Sequence, residues 1–446
     1  MAAAAAVALV TAAVLVGRYI QDHYGTLHVN WAPLYAHWEP HVGPGTPAAI
    51  SVAVLVIAYG PVVAEGLRWR RLLPAVWAAS AAWTFSLALI DGWQRGIAGR
   101  LTTSYEYLQV IDRFDDVGAT LRDFTRHILL HSPDHWPPHV AGHPPAATLT
   151  FVGLDRIGLG GGAWAGVWCI TVGCTAALAV LVTVRALADE RTARRAAPFL
   201  VLAPAAVWVG TSADGYFAAV AAWSVALLAV AATRGSRWAA LGSGLLFGLT
   251  CYLSYGLTLM VLVGAAVLLA ARTVRPLPLV VVGAAVVPVA FTLVGFNWWE
   301  AYRLLTERYS QGAGGIRPYW YWVWANLACT VLIVGLATVA GLGRVPGRLL
   351  GSSRGPEGRL SLPGRFLRAR AEPEGRLALV VTGAALALLA ADLSGMSKAE
   401  TERIWLPFGV WLVAATALLP ERWRRGWLTA QAVLALLVNH LLVTGW

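Results

Sequence analysis

Charge is what this chain has little of. Only 13% of its 446 residues are Asp, Glu, Lys or Arg, against 58% hydrophobic residues and a mean hydropathy of +0.62. That balance excludes a soluble globular domain, in which about a quarter of residues carry charge. Lysine is nearly missing, and Lys398 is the single example. Cysteine is scarce: Cys169, Cys174, Cys251 and Cys329 all fall inside apolar stretches. This excludes a disulfide framework and a Cys-x-x-Cys metal pattern and leaves small buried side chains. The run from Met1 to Gly17 lacks a basic n-region, and no clear small-residue cleavage site precedes the polar loop after Arg18. It reads as a retained first span rather than a cleaved signal. No short-period repeat is present.

What the chain does have is long apolar runs. Those near the length that crosses about 30 Å of hydrocarbon lie at 2–17, 48–67, 74–90, 162–187, 196–210, 214–233, 237–254, 256–271, 276–295, 319–342, 377–394, 404–419 and 427–444. The fold class is therefore an all-α polytopic membrane protein with about 13 transmembrane helices. A further run, 144–157, is interrupted by Asp155-Arg156 and reads as a half-length or re-entrant helix. The net charge of +11 is distributed by topology rather than gathered for nucleic acid. With the N-terminus in the cytoplasm and 144–157 returning to its own side, the inner loops hold 22 basic and 7 acidic residues and the outer side 12 basic and 16 acidic. This is the asymmetry that basic residues impose on membrane proteins, and it implies a multi-pass plasma (inner) membrane protein. The segments are then residues 1–73, two N-terminal spans with outer loop 18–47; 74–342, a membrane module with outer loop 91–143; 343–376, a basic cytoplasmic linker; and 377–446, a three-span bundle with outer loop 395–403.

The loop 91–143 is too long to be a simple connector. Before His131 it gathers Asp91, Glu106, Asp112, Asp115, Asp116 and Asp123, six of the chain's 23 acidic residues. Asp91 ends a span, where a carboxylate near hydrocarbon is costly and so marks a functional candidate, with Arg95 one turn on as partner. A helix end facing water is the plainer reading. Tyr105-Glu106-Tyr107 to Ile111, and Val117 to Leu130 behind Asp115-Asp116, read as short helices on the membrane surface. Nine of ten histidines lie outside, and His127, His131, His135, His139 and His143 recur every fourth residue. Pro133, Pro137 and Pro138 forbid one continuous helix there, so the period does not make a metal face. His143-Pro144-Pro145 is a good helix start. Thr211-Ser212-Ala213-Asp214 sits at an outer helix junction, as cap or as substrate contact. Trp298-Trp299-Glu300-Ala301-Tyr302-Arg303 combines interface aromatics with a cation. Lys398, Glu400 and Arg403 lie at a membrane edge, and the two cations suit a phosphate through charge-assisted hydrogen bonds.

Taken in order, these pieces resemble the GT-C superfamily of membrane glycosyltransferases. There a span ends in an acidic residue and leads into a long outer loop, as at Asp91. A His/Tyr-Pro-Pro motif opens a helix, as His143-Pro144-Pro145 does. An outer acidic junction follows, matched by Ser212-Ala213-Asp214, and a late Arg-aromatic-Leu-Pro motif is matched by Arg403-Ile404-Trp405-Leu406-Pro407. The resemblance spans residues 74 to 420 loosely. It implies transfer of a sugar from a polyprenyl-phosphate donor to a glycan, lipid or protein acceptor of the cell envelope, with inversion. Asp91 is the first candidate for general base and Glu106 the second. His143, Asp214, Arg303, Lys398, Glu400 and Arg403 are candidates for holding donor or substrate. No cofactor is required, and a divalent cation is compatible with the acidic loop. The sequence departs from the family in two ways. Two extra spans, 2–17 and 48–67, precede the long loop, and Gly92-Trp93 follows Asp91 where many members carry a second acid. A transporter or lipid flippase, or a non-catalytic scaffold or metal sensor, are the competing readings. The first would bury charges in mid-span and repeat its two halves; the second leaves Asp91 and Arg403 without a role.

Overall fold

The computed structural model describes residues 1–351, 354–355, 358–359, 361 and 370–445. Of the basic linker expected at 343–376, residues 352–353, 356–357, 360 and 362–369 lie outside the described residues. The rest is a bundle of helices whose sequence explains most of their ends. Ser212, Ser236 and Asn297 cap helices Ala213–Arg234, Arg237–Leu253 and Trp298–Gln311 by accepting from backbone N–H groups, which satisfies donors that the first turn leaves open.

Among the described residues, seven helices are long and apolar enough to cross a membrane: Ala2–Tyr24, Thr46–Gly66, Trp69–Asp91, Gly162–Leu187, Ala213–Arg234, Leu277–Val294 and Pro373–Leu393. The protein is a multi-pass helical membrane protein. The six other expected spans are shorter or broken. The run 196–210 is a helix from Glu190 to Val201 and then a separate turn, Ala206–Val209, across Pro204. The run 237–254 is helical over 17 residues, and Tyr255–Ala271 and Leu406–Leu418 are shorter apolar helices. The run 427–444 is a helix only to Leu441, after which Leu442–Thr444 is extended. An apolar run records burial, and burial in a bundle does not require one unbroken helix. The run 144–157 holds the 11-residue helix Ala146–Arg156, about 16 Å long, or half of a hydrocarbon core.

The clearest departure from a straight span is at 319–342. Tyr319–Val334 and Leu336–Leu350 meet at a 110° bend, with Gly335 between them at φ 79°, a conformation that glycine adopts without strain. The bend takes backbone groups out of the helix ladder. Gln431, wholly buried on the neighbouring helix Arg424–Leu441, replaces their partners. Its Oε1 accepts from Ala337 N at 3.2 Å and its Nε2 donates to Val334 O at 2.8 Å.

Leu277–Val294 has only 6% of its span buried and packs along one face, at Val280, Gly283, Ala284 and Val287, leaving the rest to lipid. It is held through glycines: Gly244 lies against the Val280 and Ala284 backbone and Gly283 against the Leu241 backbone, the close approach that small residues permit between helices in lipid.

One end of the bundle is closed by a strap from the loop 25–45. Ala36–Trp38 pairs antiparallel with Leu442–Thr444. Glu39 N and His41 N donate to Leu441 O and His440 O at 3.0 and 2.8 Å, and Gly45 N to Leu89 O at 3.0 Å. Below it, the loop 91–143 folds as short turns: Gln94–Ala98, Arg100–Thr102, the 3-10 helix Tyr107–Phe114, then Val117–Asp123 capped by Asp116, and Phe124–His127. The surface helix expected to reach Leu130 thus stops as α-helix at Asp123 and tightens.

The replacement Gln431→Leu keeps the volume and orphans one donor and one acceptor at the bend. It is expected to destabilise the protein by about 2–4 kcal/mol. Thermal unfolding in detergent measures this, and an unchanged midpoint would show that the bend is held by packing alone.

Candidate active site

The site is built around a buried cation. Arg403 lies in the short helix Thr401–Ile404 and is 5% exposed. The two residues that lead into it, Ala399 and Glu400, both take positive φ, 71° and 62°. That pair of left-handed residues reverses the chain and lets Glu400 and Arg403 share one side of the turn. The Arg403 Nη1 donates to Asp214 Oδ2 at 2.6 Å; its Nη2 donates to His139 Nε2 at 2.9 Å and to Glu400 Oε2 at 3.2 Å. His139 Nδ1 in turn lies 3.0 Å from Glu106 Oε2. Because Nε2 accepts from a guanidinium, a proton on the neutral ring belongs on Nδ1, the nitrogen nearest Glu106.

Each member comes from a different part of the chain. Glu106 precedes the 3-10 helix Tyr107–Phe114, and His139 sits in the first turn of Pro138–Gly142 behind two prolines. Asp214 lies in the first turn of Ala213–Arg234, where Ser212 Oγ accepts from its N–H at 3.1 Å. Thr211, just before, is a buried β-branched residue at φ 89°, held by a 2.6 Å bond from its Oγ1 to Gly96 O. A conformation this unfavourable for threonine persists only where the surroundings enforce it. Together Arg100, Glu106, Tyr107, His139, Thr211, Asp214 and Arg403 line a narrow cleft of about 10 Å³, room for about one water.

A second cation backs the first. Arg317 is buried and donates to Leu27 O and Lys398 O at 3.0 and 2.8 Å and to Glu400 Oε1 at 3.3 Å. Burial alone would raise the Glu400 carboxyl, but Arg403 and Arg317 hold it below its usual value. Burial alone would lower Arg403, and Asp214 and Glu400 reverse this, holding the guanidinium above its usual value. The arginine is charged at every accessible pH.

Asp91 forms a neighbouring cluster. His41 Nε2 is 2.8 Å from Asp91 Oδ1, Arg100 donates to Oδ2 at 3.0 Å, and Arg95, expected as its partner one turn on, is 3.7 Å away and bonded to Glu39 at 2.9 Å. Arg100 joins the two clusters, since it also lines the cleft.

The structure thus brings Glu106, Asp214, Glu400 and Arg403 together and sets Asp91 one arginine away. His143 lies behind the cleft. Its Nδ1 donates to His139 O at 2.8 Å, and its ring packs between Tyr107 and Phe217. Burial pushes it down to about 4, so it stays neutral. Lys398 is turned to Gly314 O at 2.9 Å. Arg303 is exposed on Trp298–Gln311 and does not line the cleft. Sequence reasoning missed His139, Arg317 and Arg100 as site residues. The signal for His139 was Pro137-Pro138 directly before it, which fixes a helix start as Pro144-Pro145 does after His143; Arg317 stands likewise directly before Pro318.

No family model matches the chain, and no curated protein matches it. Among solved structures, it superposes on the oligosaccharyltransferase of Archaeoglobus fulgidus in the apo form with a TM-score of 0.50, at 13% identity, over 82% of this chain and 56% of that one. The fold is the GT-C fold. The same archaeal enzyme in complex with Zn and sulfate gives a TM-score of 0.48 at 16% identity over 81% of this chain and 51% of that one. ArnT from Cupriavidus metallidurans in the apo state gives 0.44 at 16% identity over 77% and 60%. The chain therefore spans about half the length of these structures. On this GT-C scaffold the donor set suits an internal cation rather than a resident metal. Glu106, Asp214, Glu400 and Asp91 are each turned to an arginine or histidine of the protein itself. Among the described residues no three His, Cys, Asp or Glu side chains gather as a metal-binding group.

Replacing Arg403 with Met strands two buried carboxylates and is expected to cost about 3–5 kcal/mol. Adding Asp214→Asn should recover part of the loss; strict additivity would show that the pair is not coupled. The lowered Glu400 carboxyl contributes stability that is fully present above its ordinary value near pH 4.3 and is lost as pH falls through the lower folded value. The stability gap between wild type and Glu400→Gln should therefore shrink in acid, as unfolding midpoints from about pH 7 to 3 would report. A constant gap would contradict this.

Proposed function

We propose that the protein is a membrane glycosyltransferase that moves a sugar from a polyprenyl-phosphate donor to a cell-envelope acceptor (glycan, lipid or protein) on the extracytoplasmic face, the outer side of a plasma (inner) membrane. The observation that carries this reading is the buried Arg403, set among Asp214, Glu400 and the His139–Glu106 pair at one end of a GT-C bundle. The charge asymmetry of the loops supports the side: the strap and the acidic cleft share the end opposite the arginine-rich loops.

In this mechanism the acceptor oxygen attacks the anomeric carbon while the bond from that carbon to the phosphate oxygen breaks. The electron pair leaves with the phosphate, the acceptor's proton passes to a carboxylate, and the sugar carbon inverts. Arg403 is the partner for the phosphate, whose charge rises as it leaves, because a guanidinium offers paired donors to a phosphate. In the resting site its charge is matched by Asp214 and Glu400, so the donor must compete for it. Lys398, at the rim, would have to leave Gly314 O to join. Glu106 is the favoured base, because it lies in the cleft with Arg403, and His139 orients it. Asp91 supports Arg100 from behind and becomes the second candidate. His143 is a neutral cushion under His139, and Arg303 is placed to meet substrate only outside the cleft.

Membranes carrying the protein are expected to transfer radiolabelled sugar from one of a panel of polyprenyl-phosphate sugars. Glu106→Gln should cut the rate by about 10²–10⁴, the range general-base catalysis supplies, at equal protein level, and Asp91→Asn should cut it less. The reverse order would move the base to Asp91. Lipid or solute movement without any sugar transfer would replace the reading with a transporter.

A further inference from the structure

A second cavity lies far from the candidate active site. It measures about 530 Å³ and lies where the start of Ala2–Tyr24, the end of Leu336–Leu342 and the start of Arg424–Leu441 meet. Both long helices place it at the opposite end of the bundle. Ala2–Tyr24 leads at its far end to Leu27, which binds Arg317. Arg424–Leu441 leads to Asn439, bonded to Leu87 O, and then to Thr444, whose carbonyl accepts from Arg100 at 2.8 Å. The helix Arg424–Leu441 has 18 residues, about 27 Å and close to a full hydrocarbon thickness, and the cavity lies along its first two turns, at Gly426, Trp427 and Ala430.

Its lining is of two kinds. The wall is apolar and shallow-chained, with Ala340 and Ala430 beside Trp427. The mouth carries Arg344 and Arg422, both exposed, and Trp423, over whose ring the Arg422 guanidinium lies at 5.6 Å. Among the described residues no lining residue is acidic. The nearest acid in sequence, Glu421, faces away, 3.1 Å from Arg191 and 3.8 Å from Arg424. The cavity is therefore a net-positive mouth over an apolar slot, with tryptophans where a membrane interface favours them. Its volume falls in the range of built ligand sites, about 300–1,000 Å³.

We propose that this cavity seats an anionic phospholipid, with its headgroup phosphate between Arg344 and Arg422 and its upper acyl chain against Ala340, Trp427 and Ala430. Charge complementarity selects this occupant. A zwitterionic lipid brings an ammonium group that two arginines repel, and an apolar molecule leaves the mouth unused. The site is independent of the glycosyl-transfer reading, since it lies at the other membrane face.

The full-length protein, purified in a mild detergent, is titrated with phosphatidylglycerol or phosphatidylcholine, and retained lipid is counted by native mass spectrometry. Wild type is expected to prefer phosphatidylglycerol. Arg344→Gln with Arg422→Gln should weaken its retention on the order of thirtyfold, since each arginine near an anionic lipid is worth about fivefold. The double lysine variant should keep most of the preference. Arg70→Gln with Arg71→Gln removes the same charge from exposed positions outside the cavity and should change retention little. Equal retention in wild type and the double glutamine variant would overturn the proposal. So would an equal loss in the Arg70/Arg71 control, which would leave only general attraction to the surface. Full displacement of the lipid by millimolar inorganic phosphate would also overturn it, because the acyl contacts would then contribute nothing.

Discussion

A guanidinium that is 5% exposed at the end of a membrane bundle has to be matched by charge on all its open sides, because an isolated buried ion loses far more hydration than any single contact returns. Arg403 meets that demand with two carboxylates and a histidine. Its partners fix much of the surrounding structure. Asp214 ties it to the start of a span, His139 to the loop 91–143, and Glu400 to Arg317 and thereby to the loop after the first helix. The cluster is thus the point through which four otherwise separate segments are registered against one another.

Such a cluster holds its members in geometries they would not choose alone. Ala399, Glu400 and Thr211 all sit at positive φ within or beside it, each at a cost of about 1–3 kcal/mol. The cost falls where an arginine must be aimed rather than merely buried. A site of this kind is closed on itself: the cleft has room for little more than one water. Any anion that takes Arg403 must replace carboxylates already in place, so selectivity for a phosphate over a weaker anion follows from the strength of the bonds it has to exchange.

Much of this was legible in the sequence, for reasons that also explain what was not. Long apolar runs identify membrane helices because bilayer thickness sets a length, and Ser212-Ala213-Asp214 and Lys398 to Arg403 stand out because charge at a span edge is rare. The bend at Gly335 was hidden: its compensating residue, Gln431, is 96 positions away, and no local pattern announces a hydrogen bond of that range. The same applies to His139. Its four-residue spacing with His143 suggested a shared helix that the prolines forbid, whereas its true partners, Glu106 and Arg403, come from elsewhere in the chain. Asp91 was prominent because it ends a span, but prominence at a boundary does not reveal which of two adjacent clusters a carboxylate joins.

The strap that pairs Ala36–Trp38 with Leu442–Thr444 has a consequence for how the protein is made. A ribosome delivers the chain from its N-terminus, and membrane segments insert in that order. The first loop must therefore wait outside the bilayer while some four hundred residues follow, its edge strand without a partner and His41 without a fixed frame. Only when the segment after Arg424–Leu441 has been made can the sheet form and the lid over Asp91 set. Contacts of such sequence separation close late. The polar end thus stays open until Leu442–Thr444 has been made, so a chain interrupted before that segment is also a chain without a finished site.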